Sequence, residues 1–353
     1  MRAPAPRDKP GIAVYVPRPW GVVQGSRGGI SRGQRAVMSE GVLFVKTSSL
    51  GDVIHHMPAL TEAIRRCPGL GFSWVVEELI APLVRLHPGV REVIPVASRR
   101  WRRSLASRST WCEMRSFAHA LRAKEYAAVI DTQGLVRSAL VTRVARGRRH
   151  GYDAASVRER AASLFYDVRH RVARDQHAIA RNRALTGLAL GYAPEGAPDF
   201  GLDRTQLAPP SRERYAVLLH ATARPDKEWP VQHWIALGQA LRAHGLGMVL
   251  PWATEAERQR SQLIAAAVPA AEVPDLRPLD AVARLIAGAS LVIGVDTGLL
   301  HLAAALGVPL VAVFAGSEPD LTGPIGQGPI AVVGGKGEVP AVADVAAAVA
   351  RVA

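Results

Sequence analysis

From Val42 the chain repeats one unit: a short apolar run, a polar turn, then a stretch with helical spacing. Val42–Val45, 72–76, 93–96 and 127–131 are the apolar runs of the first half, with helical spacing over 53–66, 80–86 and 113–123. Short, continuously apolar strands belong to parallel sheets covered on both faces, and their alternation with helices predicts a doubly wound α/β layer. The pattern loosens after about residue 170. A helix is expected over 177–190, and the Pro- and Gly-bearing segment 191–210 reads as an interdomain linker. The unit then restarts, with strands at Tyr215–Leu219, 248–250, Leu291–Val295 and Leu310–Phe314 and helices at 231–244, 255–266, 279–287 and 299–306. A length of 353 residues accommodates two such domains. The expected division is 38–205 and 206–330, with 331–353 a closing segment whose helix packs back on the first domain.

Composition narrows the function. Hydrophobic residues make up 48% and charged residues 21%, which excludes global disorder. Two cysteines, Cys67 and Cys112, exclude a disulfide scaffold and a four-cysteine zinc site and fit a reducing compartment. The net charge of +14 invites a polyanionic partner: nucleic acid, an anionic membrane surface or a phosphorylated substrate. Within 1–37, seven cations stand against the single acid Asp8, so +6 of that charge sits on a Pro-, Gly- and Arg-rich leader. Pro17, Arg18 and Pro19 break its apolar stretch, so it is no secretory signal, and it reads as a dispensable disordered extension or an upstream start preceding Met38. The uncharged stretch 297–317 is interrupted by His301 and Gly307-Val308-Pro309, and reads as a buried helix, turn and strand rather than a membrane span.

Ligands of open parallel sheets bind beyond the carboxyl ends of strands, and three turns at such ends carry polar residues. In Lys46-Thr47-Ser48-Ser49-Leu50-Gly51-Asp52, Gly51 permits close approach of a ligand, and Asp52 is either a helix cap or a general base. The turn lacks the glycine spacing of a Walker loop. Thr222, Arg224 and Lys227 concentrate a hydroxyl and two cations before the helix at 231, a pattern suited to phosphate; the alternative is a solvated loop that Trp229 merely anchors to the core. Asp296-Thr297-Gly298 opens a helix whose N-terminal N–H groups suit an anion; Asp296 suits sugar hydroxyls or a cap, and His301 lies one turn on. No G-x-G-x-x-G, D-x-D, H-E-x-x-H or G-x-S-x-G occurs. His55-His56 is not read as a metal site, because adjacent helical residues point apart.

The string from Val42 to His55 resembles the opening of the lipopolysaccharide heptosyltransferases, glycosyltransferase family 9. His220-Ala221-Thr222, Asp226-Lys227-Glu228-Trp229-Pro230, Leu250-Pro251-Trp252 and Val295-Asp296-Thr297-Gly298-Leu299 with His301 are similar to its type I branch, as are Arg99-Arg100-Trp101-Arg102 and Asp131-Thr132-Gln133-Gly134-Leu135-Val136. The likeness runs from about residue 42 to 326. It implies a GT-B fold, two Rossmann-like domains facing across a cleft, working without metal or cofactor. The implied reaction is inverting transfer of heptose from ADP-L-glycero-β-D-manno-heptose to the first Kdo of Kdo2-lipid A. A type II enzyme with another acceptor is the alternative.

The resemblance also implies roles. Asp52 matches the family's catalytic base. Thr222, Lys227, Glu255, Asp296, Thr297, Gly298 and His301 fall on the donor side. Ser48, Ser49, Gly51, Gln133, Arg137 and the cluster Arg99, Arg100, Arg102 and Arg103 fall on the acceptor side, with Trp101 at a membrane interface. The enzyme is then expected peripherally on the cytoplasmic face of the inner membrane, held at its anionic leaflet, with no nucleic-acid partner.

Overall fold

The computed structural model describes residues 41–209, 214–222, 224–316 and 322–353. The leader, 1–37, lies outside the described residues. Six strands build the first sheet: β1 (Val42–Val45), β2 (Phe72–Glu77), β3 (Glu92–Val96), β4 (Glu125–Asp131), β5 (Arg146–Tyr152) and β6 (Val168–His170). Six more build the second: β7 (Tyr215–Leu219), β8 (Gly247–Val249), β9 (Ala271–Glu272), β10 (Leu291–Val295), β11 (Leu310–Phe314) and β12 (Ile330–Gly334). Their spatial orders are β3-β2-β1-β4-β5-β6 and β12-β11-β10-β7-β8-β9. Every named strand pair is parallel. Read from its own first strand, each sheet has the Rossmann order, so each changes winding direction once, between β1 and β4 and between β7 and β10. The whole is the two-domain α/β architecture of the GT-B class.

The central strands β1, β10 and β11 are buried along their whole length, as their continuous apolar sequences require. One apolar cluster runs from Phe44, Ile54 and Leu60 of the first domain to Leu219, Ile286 and Leu300 of the second, so the domains share a core. At its centre the helix Leu50–Ile54 meets the helix Gly298–Ala305. A Cβ added to Gly298 would lie 2.7 Å from Leu50 Cβ, and one added to Gly51 would lie 2.9 Å from His301 Cδ2. Two glycines let these backbones approach so closely.

Three sequence expectations are revised. The single helix over 53–66 is two, Leu50–Ile54 and Met57–Arg66, broken at His55-His56. Pro58, with no N–H to donate back into the first helix, restarts the chain at the opening of the second. The polar strand β5, Arg-Gly-Arg-Arg-His-Gly-Tyr, was not expected. The segment 331–353 does not return to the first domain: it completes β12, and the apolar face of the helix Val342–Val352 (Val345, Ala348, Val352) joins the cluster of Trp229, Trp234 and Leu237.

The helix Ala178–Leu190 is fixed to Met57–Arg66 by a buried pair, Arg183 Nε–Glu62 Oε2 at 2.8 Å. That ion pair places Arg181 and Asn182 beside the end of β1. Trp229 is fully buried and donates from Nε1 to Pro340 O at 2.9 Å, anchoring the loop after β7 as expected.

Candidate active site

Both changes of winding leave a crevice at the strands' carboxyl ends, and the three polar turns lie there. At the first crevice Lys46 follows β1 with its side chain buried; Nζ donates to Thr132 O at 3.0 Å and stands 3.9 Å from Asp52 Oδ1. Burial pushes the Lys46 ammonium down to about 8, although Asp52 partly holds it charged. Asp52 is the third residue of its helix. Its Oδ2 accepts from Ser49 N at 3.2 Å and from Ser49 Oγ at 3.1 Å, so it caps the helix as well as facing the crevice.

Arg158 grips the same carboxylate with both terminal nitrogens, 2.8 Å to Oδ1 and 3.3 Å to Oδ2. Burial raises the Asp52 pKa, but Lys46, Arg158 and the Ser49 N–H outweigh it, so the carboxyl lies below its ordinary value and is ionised. Lys46, Asp52, Thr132, Gln133, Tyr152, Arg158, Arg181 and Asn182 line one recess.

The surrounding network explains why Arg158 arrives there. Asp131, the last residue of β4, is fully buried and accepts from Gln133 N, Gly134 N, Ser138 Oγ and Tyr166 Oη, at 2.8 to 3.1 Å. It fixes the turn after β4 and the start of the helix Val136–Val144. Asp153 closes the next loop by accepting from Ala155 N and Ser156 N, and Arg181 donates to Ser156 O at 2.6 Å. Glu159 then accepts from Val136 N, leaving Arg158 beside Asp52. Arg158, Lys46, Asp131 and Arg181 were not singled out as site residues in the sequence. Lys46 and Asp131 stood inside quoted strings, while Arg158 follows a strand whose cations hide its periodicity.

Most of the other first-domain residues expected on the acceptor side are held by their own contacts. Gln133 is buried, and its Oε1 accepts from Thr47 N and Ser48 N at 3.1 and 3.3 Å, bracing the loop before Asp52. Arg137 donates to Ser48 Oγ at 2.9 Å. Gly51 permits the close approach of His301. Arg99, Arg100, Arg102 and Arg103 belong to the helix Ser98–Arg103, beyond the carboxyl end of β3 and at the same sheet edge as Asp52. Arg100 is committed to Glu78, at 3.1 and 3.0 Å, and to Glu113 at 2.8 Å. Arg99, Arg102 and Arg103 are exposed. Trp101 is no interface anchor: it is 9% exposed, donates to Glu113 Oε2 and packs on Phe117.

At the second crevice Lys227 Nζ meets Asp296 Oδ2 at 2.6 Å, and Thr222 Oγ1 donates to Asp296 O at 3.0 Å. Lys227 and Asp296 keep 19% and 15% side-chain exposure, open enough to exchange partners. Thr297 precedes the first helical residue, Gly298, and makes no side-chain cap, so the first turn keeps free N–H groups. Glu255 is exposed and pairs with Arg258 three residues on, at 3.6 Å.

His301 is buried between the two crevices, close enough to Asp296 and Asp52 to feel both carboxylates. Its Nδ1 lies 3.2 Å from His55 Nε2, with His177 edge-on to His55 at 5.1 Å between centroids. Burial lowers all three imidazoles, His301 to about 4, so they join the domains as neutral rings. Among the described residues no group of three or more His, Cys, Asp or Glu is gathered as for a metal, and no helix is long and apolar enough to cross a membrane.

Two switch-point crevices, one presenting a carboxylate and the other a cation beside a helix N-terminus, agree with what similar proteins are. The family described as Glycosyltransferase family 9 (heptosyltransferase) matches residues 114–346. Lipopolysaccharide heptosyltransferase 1 of Escherichia coli K12 is 46% identical over 290 residues, covering 81% of this chain and 91% of that protein. The solved structure of E. coli heptosyltransferase WaaC with ADP superposes with a TM-score of 0.83 at 43% identity, over 88% of this chain and 99% of the other. The same enzyme with ADP-2-deoxy-2-fluoro heptose gives 0.80 at 42%, with the same coverage. The chain belongs to glycosyltransferase family 9, the heptosyltransferases.

Proposed function

We propose that the chain transfers L-glycero-D-manno-heptose from its ADP donor to the first Kdo of Kdo2-lipid A, with Asp52 as base and the second crevice holding the diphosphate. One observation carries the reading: the helix bearing Asp52 and the helix opened by Thr297-Gly298 are in direct contact, so carboxylate and anion cradle border the same cleft. The ADP-heptose analogue bound by the similar E. coli enzyme supports the donor.

The reaction is one displacement. The acceptor oxygen bonds to the anomeric carbon while that carbon's bond to the phosphate oxygen breaks. The hydroxyl proton passes to Asp52, and the electron pair leaves with ADP. An ionised carboxylate at a helix start is a weak base towards a resting alcohol. It serves a concerted step, because the hydroxyl acidifies as its bond to the sugar forms. Lys227, Thr222 and the free N–H groups after Thr297 receive the charge growing on the diphosphate. As Lys227 turns to phosphate, Asp296 turns to heptose hydroxyls.

Arg158 makes Asp52 dependent on the acceptor. While both its nitrogens hold the carboxylate, the base is occupied. Kdo carboxylates compete for that guanidinium, and Arg137, Arg99, Arg102 and Arg103 supply further cations at the same sheet edge. No metal ligand and no cofactor enters the scheme. The acceptor is a glycolipid, so the enzyme works peripherally at the cytoplasmic face of the inner membrane. The test is coupled detection of ADP release with ADP-heptose and Kdo2-lipid A. Sustained release that requires both substrates is the expected result; none from the wild type would reject the assignment.

A further inference from the structure

The helix Arg108–Arg122 is unusually bare: of its 15 residues only Thr110 and Leu121 are buried. At 100° per residue, Arg108, Trp111, Cys112, Arg115, His119 and Arg122 fall on one outward stripe, and all are exposed. The helix's one acid, Glu113, points to the other side, towards Arg100 and Trp101. Trp111 is 51% exposed, as is Leu105 just before the helix. Trp111 Nε1 already donates to the Leu105 backbone O at 2.8 Å, so the indole has no unmet donor to lose on leaving water. The chain reaches this helix from the carboxyl end of β3 and returns to the start of β4, so Leu105, Arg108 and Trp111 lie toward the sheet edge that carries Asp52.

We propose that this outward face seats the enzyme on an anionic lipid bilayer, with Trp111 and Leu105 entering the interfacial layer and Arg108 and Arg115 pairing with headgroup phosphates. The inference deepens the reading of a glycolipid acceptor and rests on it. The charge complementarity is one-sided, cations with no outward acid. An indole ringed by arginines favours a surface that offers both an apolar boundary and phosphate. It also divides the basic surface: the helix Ser98–Arg103 faces the acceptor's sugars, and the helix after it faces the membrane. The partner is the bilayer itself, which would bind without any acceptor present.

The test uses the full chain and vesicles of phosphatidylethanolamine with phosphatidylglycerol, against vesicles of phosphatidylcholine. The L105S/W111A variant should sediment with the anionic vesicles about tenfold less, the scale set by two apolar side chains returning to water. R108E/R115E should lose the preference for anionic over neutral lipid. Both should release ADP from a soluble, de-acylated Kdo acceptor within about twofold of wild type, since none of these residues lies in the crevices. Brominated lipid should quench a part of the wild-type tryptophan emission that is missing in W111F. Unchanged sedimentation of L105S/W111A, or equal quenching in W111F, would overturn the membrane seat. Absence of ADP release from wild type with the soluble acceptor would instead overturn the underlying reading.

Discussion

The two crevices are built on the same strand order yet differ in how tightly their charges are held. At the end of β1 the Asp52 carboxylate is met by Ser49, Arg158 and Lys46, and the buried Asp131 nearby by four donors. At the end of β10 the prominent pair is Lys227 with Asp296, part-exposed, beside a helix start that lacks a side-chain cap. In the proposed scheme a base must be aimed, which over-determined surroundings achieve. A diphosphate brings its own charge and many acceptor oxygens, so its cradle need only supply donors that can turn.

The largest expected effect breaks the first crevice at its centre. Asp52→Asn keeps the size of the side chain and removes the proton acceptor. ADP release should fall by about 10³-fold or more, the range of a lost general base, while the thermal midpoint stays close to wild type. Retention of activity within tenfold would mean that Asp52 is a cap alone.

Lys227→Ala probes the second crevice. Removing a cation aimed at developing charge should lower kcat by about 10²-fold and weaken ADP binding, measurable by calorimetry. A loss confined to stability would place Lys227 in the structure rather than the chemistry.

Arg158→Ala sharpens the contrast in hold. Arg158 favours the charged carboxylate, so its removal raises the Asp52 pKa and moves the acid limb of the kcat/KM profile to higher pH. An unmoved limb, with activity down about tenfold at the optimum, would show that Arg158 serves the acceptor alone.

Lys46 gives a smaller effect, on stability. Its folded pKa of about 8 lies below the ordinary lysine value of 10.5, so between these values the unfolded chain binds the extra proton. Stability from this group therefore rises with pH across that window. Denaturant midpoints of Lys46→Met, subtracted from wild type, should show about 2 to 3 kcal/mol of pH dependence between pH 7.5 and 10.5, and a flat difference would contradict the burial argument.

Much of this was legible from residues alone, and the exceptions have physical causes. β1, β7, β10 and β11 were bounded correctly because they are central, buried on both faces and continuously apolar. β5 escaped notice because Arg146, Arg148 and Arg149 erase its apolar signature, and β6 and β9 have three and two residues, too short to show a period. In the site, Asp52, Lys227 and Asp296 lie at strand ends where the doubly wound pattern puts ligands. Arg158 reaches Asp52 from 106 residues away through a loop folded on Asp153 and Glu159, and His301 meets His55 across 246 residues. Contacts made by tertiary packing leave no local spacing to read. Trp101 and Trp111 show the same limit: both are surrounded by arginines in sequence, and only packing separates the buried one from the exposed one.

The division of labour between the crevices is the central claim, and ADP binding measured alongside turnover tests it most directly. Calorimetric titration of ADP into Asp52→Asn should give a Kd within about twofold of wild type even though the variant releases almost no ADP in the coupled assay. Lys227→Ala should lose both. If Asp52→Asn lost ADP binding along with turnover, or turned over while binding ADP normally, the separation of base and anion cradle between the two domains would be wrong.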